Sequence, residues 1–368
     1  MKRNLLKYIL VILVCLAIAS CRKYTMSPRR GGGTFPISGL YVLNIGQADT
    51  SSLSFYSLNT KQITADQYQT ANGQTLGQTG NDIEIYGSKM YIVVTNANVV
   101  DIVNPKTGKL IKQDSLLNST IATPWYNYQK QPRNIAFYKG SAYISCYDGT
   151  VAVMDTLTLS IKATIALPGS FYQEGLVVAN DKLYVADTDF GITNTVSVIS
   201  LKTNKEIKKI TVIPDPVSLA ADSYGNVYVL SSYTDDFQSY NISPGGLTII
   251  DSKTDNVKPN PVPGTGQIEK SSIPITVNGD LVYYATGDNK IAVYNAKTQA
   301  PISTSFVTDG TAIQFPNSIA VNAATGEVYI GDAKDRISNG SIDVFDKTGK
   351  LEYAFATGIN PVKIKLLN

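Results

Sequence analysis

The aromatic side chains best suited to recognition chemistry lie in the insertions between strands of the 368-residue sequence. They are Trp125, Tyr126, Tyr128, Phe171, Tyr172, Phe190, Tyr233 and Phe237. Three polar residues lie close to them in sequence, namely Gln131, Arg133 and Glu174. Rigid rings with a few polar groups suit the binding of a flat or amphipathic molecule, or of a protein partner. The alternative for each ring is packing of its own loop against the rim of the domain.

The residue types in the sequence argue against catalysis and against metal binding. The sequence contains no histidine, which excludes Ser-His-Asp and Cys-His catalysis and any His-ligated metal. The carboxylate pairs Asp187/Asp189 and Asp235/Asp236 have ligand chemistry for calcium, but they lack the spacing of a known calcium loop. Solvated loop acids are the simpler interpretation. The sequence therefore predicts a protein that is not an enzyme and that uses no cofactor or metal.

Cys146 is the one cysteine that follows Cys21 in the chain. A single cysteine in the folded body cannot form an internal disulfide. Because Cys146 ends the apolar-alternating run 143–146, we expect it to be a small buried hydrophobic residue.

The start of the chain predicts export and lipid anchoring. A basic start is followed by an apolar stretch at 9–18, and two small residues precede Cys21. This pattern resembles the lipobox of bacterial lipoproteins, in which the cysteine is acylated and holds the protein on a membrane; a plain secretory signal is the alternative. The predicted divisions are a lipoprotein signal peptide (1–20), a flexible tether (21–36) and a folded domain (37–368).

The charge distribution argues against a nucleic-acid partner. Seven of the 32 basic residues lie within residues 1–30, which contain no acid. The remainder carries 25 basic against 29 acidic residues, so the folded body is mildly acidic. Proteins that bind nucleic acid through phosphates need a basic cluster, and the body shows none.

Seven tyrosine-centred strands set the architecture that must position these residues. Their tyrosines are Tyr41, Tyr91, Tyr143, Tyr184, Tyr228, Tyr283 and Tyr329, spaced 50, 52, 41, 44, 55 and 46 residues apart. A period of this length with several short strands per unit is typical of a β-propeller. The repeat therefore predicts an all-β fold of seven four-stranded antiparallel blades, with the tyrosines in the core. No segment predicts a helix.

The first unit lacks the opening strand, often introduced by proline, that begins the other units. A matching segment occurs at the far end of the chain, at 360–364. We therefore expect the C-terminal strand to supply the inner strand of blade one and to close the ring, which removes exposed sheet edges.

Connection lengths predict which face of the propeller binds. First-to-second and third-to-fourth turns are short, whereas second-to-third connections and inter-blade crossovers are long. The long segments are 44–52, 66–80, 113–131, 168–173, 187–195, 231–246, 258–271 and 331–341. In an antiparallel blade these two long classes share one face, and binding residues concentrate on loops held by a rigid scaffold.

The repeat resembles a known family of propellers. Its Tyr-Val strands and its Val-x-Val-x-Asp-x-x-Thr turn, present at 151–158, resemble the YVTN-type seven-bladed propellers. Segments 39–46 (GLYVLNIG) and 80–91 (GNDIEIYGSKMY) are similar to propeller lipoproteins of Bacteroidota. The resemblance implies an outer-membrane lipoprotein, facing the periplasm or the cell surface. Some members of that group capture cobalamin at the cell surface for an outer-membrane transporter.

These observations predict a lipid-anchored envelope protein that captures a small ligand, with a corrinoid as one candidate, for a membrane partner. The predicted contact residues are the aromatic and polar side chains named at the outset. The alternative is a protein-interaction scaffold that grips an envelope protein through the same face and binds no small molecule. A lyase or hydrolase that uses carboxylates alone is a third hypothesis.

Overall fold

Alternating apolar and polar residues form strands throughout the domain, and the strands pair into seven blade sheets. The computed structural model describes residues 38–116, 130–188, 193–232, 234–236, 241–259, 262–263 and 274–367, all within one compact unit, Pro36–Asn368. Neighbouring strands in every blade are antiparallel, and the predicted all-β, seven-bladed propeller is confirmed.

The strands succeed one another blade by blade. Blade 1 contains β1 (Gly39–Ile45), β2 (Ser51–Ser57) and β3 (Gln62–Thr64). Blade 2 contains β4 (Gly80–Tyr86), β5 (Lys89–Val94), β6 (Val99–Val103) and β7 (Leu110–Ser115). Blade 3 contains β8 (Pro132–Tyr138), β9 (Ser141–Cys146), β10 (Thr150–Asp155) and β11 (Ser160–Ala166). Blade 4 contains β12 (Gln173–Ala179), β13 (Lys182–Asp187), β14 (Thr195–Ser200) and β15 (Lys205–Thr211).

The remaining blades follow the same order, with one added hairpin. Blade 5 contains β16 (Pro216–Ala221), β17 (Asn226–Ser231), the hairpin β18 (Thr234–Asp236) and β19 (Asn241–Ser243), then β20 (Gly246–Asp251), β21 (Asn256–Val257) and β22 (Val262–Pro263). Blade 6 contains β23 (Ile275–Asn278), β24 (Leu281–Ala285), β25 (Ile291–Asn295) and β26 (Ala300–Ser303). Blade 7 contains β27 (Pro316–Val321), β28 (Val328–Asp332), β29 (Asn339–Phe345) and β30 (Leu351–Ile359), and β31 (Pro361–Leu367) completes blade 1.

The C-terminal strand closes the ring as the sequence predicts. Strand β31 pairs antiparallel with β1, with Leu366 opposite Leu40 and Ile364 opposite Val42. We call the first strand of each blade its inner strand, with β31 in that role for blade 1. The inner strands β4, β8, β12, β16, β23, β27 and β31 contact one another in succession, and β31 contacts β4. The inner strands therefore form a complete circle around the axis.

The seven repeat tyrosines pack between blades, which confirms their assignment to the core. Each is at most 3% exposed. Tyr41 of blade 1 packs with Ile83 of blade 2, and its hydroxyl donates to the carbonyl oxygen of Pro105 at 2.9 Å. Tyr143 of blade 3 likewise donates to the Asn204 side-chain oxygen in blade 4 at 3.1 Å. Tyr41 and Tyr143 therefore join adjacent blades both by apolar contact and by a hydrogen bond to a turn of the next blade.

Antiparallel pairing separates the connections into two faces. The short first-to-second and third-to-fourth turns lie at one end of each blade, which we call the turn face. The second-to-third connections and the crossovers lie at the other end, which we call the insertion face. The one-sided placement of the long connections therefore follows from the observed strand order.

The prediction that the chain contains no helix is wrong in one short segment. Helix α1 (Gln67–Asn72) lies in the crossover from blade 1 to blade 2, and a 3₁₀ turn occupies Gln47–Asp49. The Asp66 carboxylate accepts a hydrogen bond from the Gln69 backbone at 3.0 Å and caps the helix, which ends at a left-handed Gly73. Tyr68 is fully buried in the core between blades 1 and 2. Six residues are too few to show a helical period, so packing of Tyr68 decides the conformation.

Candidate functional site

Irregularities at the start of the inner strands position the candidate site. In six of the seven described inner strands the register with the second strand shifts near the insertion face, as in a β-bulge; β23 shows no shift. The bulged positions include Asn81, Arg133, Glu174, Val217, Asn317 and Val362. A bulge bends its strand and re-aims a side chain. We call the ring formed by these strand starts the axial mouth.

The residue before an inner strand is often left-handed. Thr79, Gln131, Tyr172, Asp215 and Asn360 have φ values of 59°, 47°, 56°, 57° and 51°. The carbonyl oxygens of Thr79 and Gln131 accept backbone hydrogen bonds from Thr95 and Tyr147 at 2.8 and 3.2 Å, directly after the second strand of their blade. Such a conformation costs an ordinary residue about 1 kcal/mol. The repeated hydrogen bond therefore fixes these residues at the axial mouth despite their backbone preference.

Arg133 and Glu174 form an ion pair that joins blades 3 and 4. The Arg133 Nε and Nη2 atoms donate to the two Glu174 carboxylate oxygens at 3.0 Å each. Their side chains are 15% and 11% exposed. Arg133 Nη1 also lies 3.4 Å from the Thr95 hydroxyl in blade 2, so one guanidinium connects three blades. Bidentate pairs of this kind hold both side chains in one geometry.

Tyr147 contacts both members of this ion pair. Its ring lies 4.6 Å from the Arg133 guanidinium carbon, and its hydroxyl donates to Glu174 Oε1. Burial raises the pKa of Tyr147 well above its usual value, and the negative charge of Glu174 adds to the increase while Arg133 opposes it. Burial alone would lower the pKa of Arg133, but Glu174 and Tyr147 outweigh burial and the pKa is raised. Arg133 is therefore cationic at every physiological pH.

The site continues along the insertion face towards blade 5. Tyr172 is half-buried and meets Tyr147 edge to face, with ring centroids 5.2 Å apart. Next to it, Phe171 keeps 37% of its surface exposed. The buried Asp215 carboxylate accepts hydrogen bonds from the hydroxyls of Thr188 and Ser232. Its charge makes a small contribution to the raised pKa of Tyr147.

The structure brings several predicted site residues together. Arg133, Glu174, Tyr172 and Phe171 lie on adjoining strand starts of blades 3 and 4. Gln131 is half-buried and its backbone N–H donates to the Asn98 side-chain oxygen at 3.0 Å, so its position is fixed by its backbone. The other predicted ligand contacts, and the cysteine predicted to be acylated, lie outside the described residues: Trp125, Tyr126, Tyr128, Phe190, Tyr233, Phe237 and Cys21.

The loop carboxylates do not gather into a metal centre among the described side chains. Asp187 is fully buried and its Oδ2 atom accepts from the hydroxyls of Thr195 and Ser197 at 2.9 and 2.8 Å. Its predicted partner Asp189 and the side chains of Asp235 and Asp236 lie outside the described part. In that part, no three Asp, Glu, Cys or His side chains are placed to share a metal ion. The described segments also contain no helix long and apolar enough to span a membrane.

Sequence reasoning missed Tyr147, Thr95 and Asp215. Tyr147 and Thr95 occupy the same position of the repeat, directly after the second strand, and Asp215 directly precedes an inner strand. In blades 2, 3, 4, 5 and 7 the backbone N–H of the first position donates to the carbonyl oxygen of the second, so the two positions adjoin at the axial mouth. Aligning the seven units of the sequence by their position in the repeat, rather than comparing the lengths of their insertions, would identify Tyr147, Thr95 and Asp215 as candidate site residues.

Comparison with solved structures supports the fold. The chain is similar to a quinonprotein alcohol dehydrogenase-like protein from Bacteroides thetaiotaomicron, at 17% identity and a TM-score of 0.64, over 90% of this chain and 78% of that one. It is similar to hydrazine synthase from Kuenenia stuttgartiensis at 14% identity and a TM-score of 0.59, over 79% and 92% of the two chains. The computationally designed protein Ika8 aligns at 16% identity and a TM-score of 0.56, over 92% and 97%.

Identities this low establish the architecture and carry no activity across. No curated protein matches the chain at a significant level. One family model matches residues 38–358, which is nearly the whole propeller. The chain therefore belongs to the family described as a domain of unknown function, DUF5074.

Proposed function

We propose that the protein is a non-catalytic binding protein that captures a small amphipathic molecule at the axial mouth of the insertion face. The observation that carries this proposal is the convergence of Arg133, Glu174, Tyr147 and Tyr172 at bulged strand starts. Bulges of this kind occur beside binding sites, where they re-aim side chains. Polar groups held by a rigid scaffold beside exposed aromatic surface are the usual composition of a ligand site.

The chemistry of the group favours binding over turnover. Glu174 accepts hydrogen bonds from two Arg133 nitrogens and from Tyr147, so its carboxylate is fully engaged and is poorly placed to move a proton. Phe171 and Tyr172 offer ring faces or edges to an apolar part of a ligand. Aromatic contacts of this kind contribute about 0.5–1.5 kcal/mol each beyond area burial. The absence of histidine from the sequence agrees with this proposal.

For the ligand, a corrinoid is the first candidate to test, because the sequence resembles propeller lipoproteins that capture cobalamin. In the same proposal, acylated Cys21 anchors the protein at the outer membrane, and the captured molecule passes to a membrane transporter. The exposed Phe171 also suits a protein partner, which is the second candidate function.

Calorimetric titration of the mature protein with cobalamin and cobinamide tests the first candidate. We expect saturable heat with at least one corrinoid, and at least a tenfold loss of affinity in Arg133→Gln. The matched control is Tyr224→Ala, which removes a partly exposed tyrosine from the turn face and should leave affinity unchanged. Absence of heat rejects the corrinoid. If both variants lose corrinoid affinity equally, or if neither loses it, the ligand binds at a site other than the axial mouth. A partner captured by the wild type and lost on Phe171→Ala, without corrinoid binding, favours the scaffold.

A further inference from the structure

The charges of the inner strands are balanced residue by residue. The seven inner strands carry three cations, Arg133, Lys363 and Lys365, and three carboxylates, Asp82, Glu84 and Glu174. Each cation is ion-paired with a carboxylate on an adjacent inner strand. Arg133 pairs with Glu174 at 3.0 Å, Lys363 pairs with Asp82 at 2.8 Å, and Lys365 pairs with Glu84.

Glu174 is the carboxylate that neutralises the charge of Arg133 at the axial mouth. It occupies two of the nitrogens of Arg133, and its position is further fixed by the Tyr147 hydroxyl. An anion that approaches Arg133 therefore also approaches the Glu174 carboxylate in a partly buried setting, where charges are poorly screened.

The donor that remains for a ligand is a single edge of the guanidinium. Within the part of the chain that the structure describes, Arg133 Nη1 makes only a long hydrogen bond of 3.4 Å to Thr95. A carbonyl or amide oxygen can accept from this edge without bringing a charge that Glu174 repels. Since the arginine charge is already neutralised, such a ligand also leaves no buried charge unbalanced.

We propose that the axial mouth selects an electrically neutral ligand that presents a carbonyl or amide oxygen to Arg133, and that Glu174 is the residue that excludes anions. The proposal rests on the proposed function for the location of the site, and it adds the chemical class of the ligand. Glu174 acts here as a specificity residue through the charge of Arg133, with Tyr147 as a positioning residue for both.

Inorganic phosphate is a probe that needs no knowledge of the ligand. The experiment compares thermal unfolding of the full mature chain in phosphate and in chloride at equal ionic strength. We expect the wild type to show no saturable, phosphate-specific rise in Tm. Glu174→Gln keeps the shape of the side chain but leaves the Arg133 charge uncompensated, so a saturable rise in Tm with phosphate is expected. The double variant Arg133→Gln/Glu174→Gln should lose that rise, because the cation is gone.

Two outcomes overturn the proposal: a saturable phosphate response of the wild type equal to that of Glu174→Gln, or no response of a folded Glu174→Gln. If Glu174→Gln does not fold, the test is the binding of two fluorescent probes to the wild-type protein. The probes are N-phenyl-1-naphthylamine and 8-anilinonaphthalene-1-sulfonate, which differ by one sulfonate group. At least tenfold tighter binding of the neutral probe is expected, and equal or tighter binding of the sulfonate rejects the proposal. A failed corrinoid titration leaves these results interpretable, because neither experiment contains a corrinoid.

Discussion

The ion pair of Arg133 and Glu174 is the residue-scale feature on which the site depends. Arg133→Gln should lower the free energy of unfolding by about 2–4 kcal/mol, because it leaves the Glu174 carboxylate largely buried without its cation. The control is Lys139→Gln, which removes an ion pair with Asp181 whose side chains are 57% and 46% exposed. Exposed pairs contribute less than about 1 kcal/mol. Urea denaturation measures both values, and equal losses would contradict the special position of Arg133.

Cys146 provides a second residue-scale prediction. Burial raises the pKa of its thiol to about 12, with a smaller contribution from the charge of Asp148. Because the thiolate is the reactive form, the folded protein should leave Cys146 unlabelled by iodoacetamide at pH 8, and unfolding in urea should expose it. Mass spectrometry of the Cys146 peptide provides the measurement. Rapid labelling of the native protein would show that the strand bearing Cys146 is open to solvent.

At the scale of the element, the tyrosine-centred strands predict alkaline unfolding. Burial raises the pKa of Tyr41 and of Tyr91 to about 12, whereas an unfolded tyrosine titrates near pH 10. The folded chain therefore holds these protons longer than the unfolded chain. Their contribution to stability is complete below pH 10 and is lost as the pH rises towards 12. At pH 11 each of the two lowers the free energy of unfolding by about 1.4 kcal/mol.

Parallel pH titrations by circular dichroism and by tyrosinate absorbance check this prediction. The exposed Tyr224 should ionise independently of unfolding, and the buried repeat tyrosines should ionise together with the loss of sheet signal. A tyrosinate signal that is complete while the sheet signal is intact would contradict the assignment of these rings to the space between blades.

The sequence predicts those elements whose signals are local. A tyrosine within a short apolar strand repeats seven times, prolines introduce several inner strands, and the segment now known as β31 matches an inner strand. These signals are sufficient to predict the number of blades and the closure of the ring by the C-terminal strand. Helix α1 escapes prediction because it has only six residues and depends on burial of Tyr68.

The bulges and the residues they position are harder to predict. A bulge depends on the register between two strands, and register is a property of the pair rather than of either sequence. Arg133 and Glu174 were recognisable as polar residues beside insertions, but their contact across blades 3 and 4 follows from two bulges. The sequence does not single out Tyr147, because this residue directly follows a core strand and lies in no long insertion.

At the scale of the whole molecule, ring closure by β31 predicts the effect of truncation. Removal of residues 361–368 deletes β31, the strand that pairs with β1 and contacts β4 and β27. The truncated chain should expose the edge of β1 and the apolar contacts of Ile364, and it should aggregate or lose cooperative unfolding. Size-exclusion chromatography and thermal unfolding provide the measurement. Removal of Asn368 alone is the control, and a monomeric, cooperatively folded truncation would show that closure by β31 is dispensable.

The central claim is that the axial mouth of the insertion face is the place where this propeller binds small molecules. Soaking crystals of the protein with a set of small neutral aromatic amides tests it without knowledge of the natural ligand. The account predicts electron density for bound fragments at the axial mouth, with an oxygen near Arg133 and a ring against Tyr172 or Phe171. Fragments that gather on the turn face or along the outer blade edges, with none at the axial mouth, would contradict it.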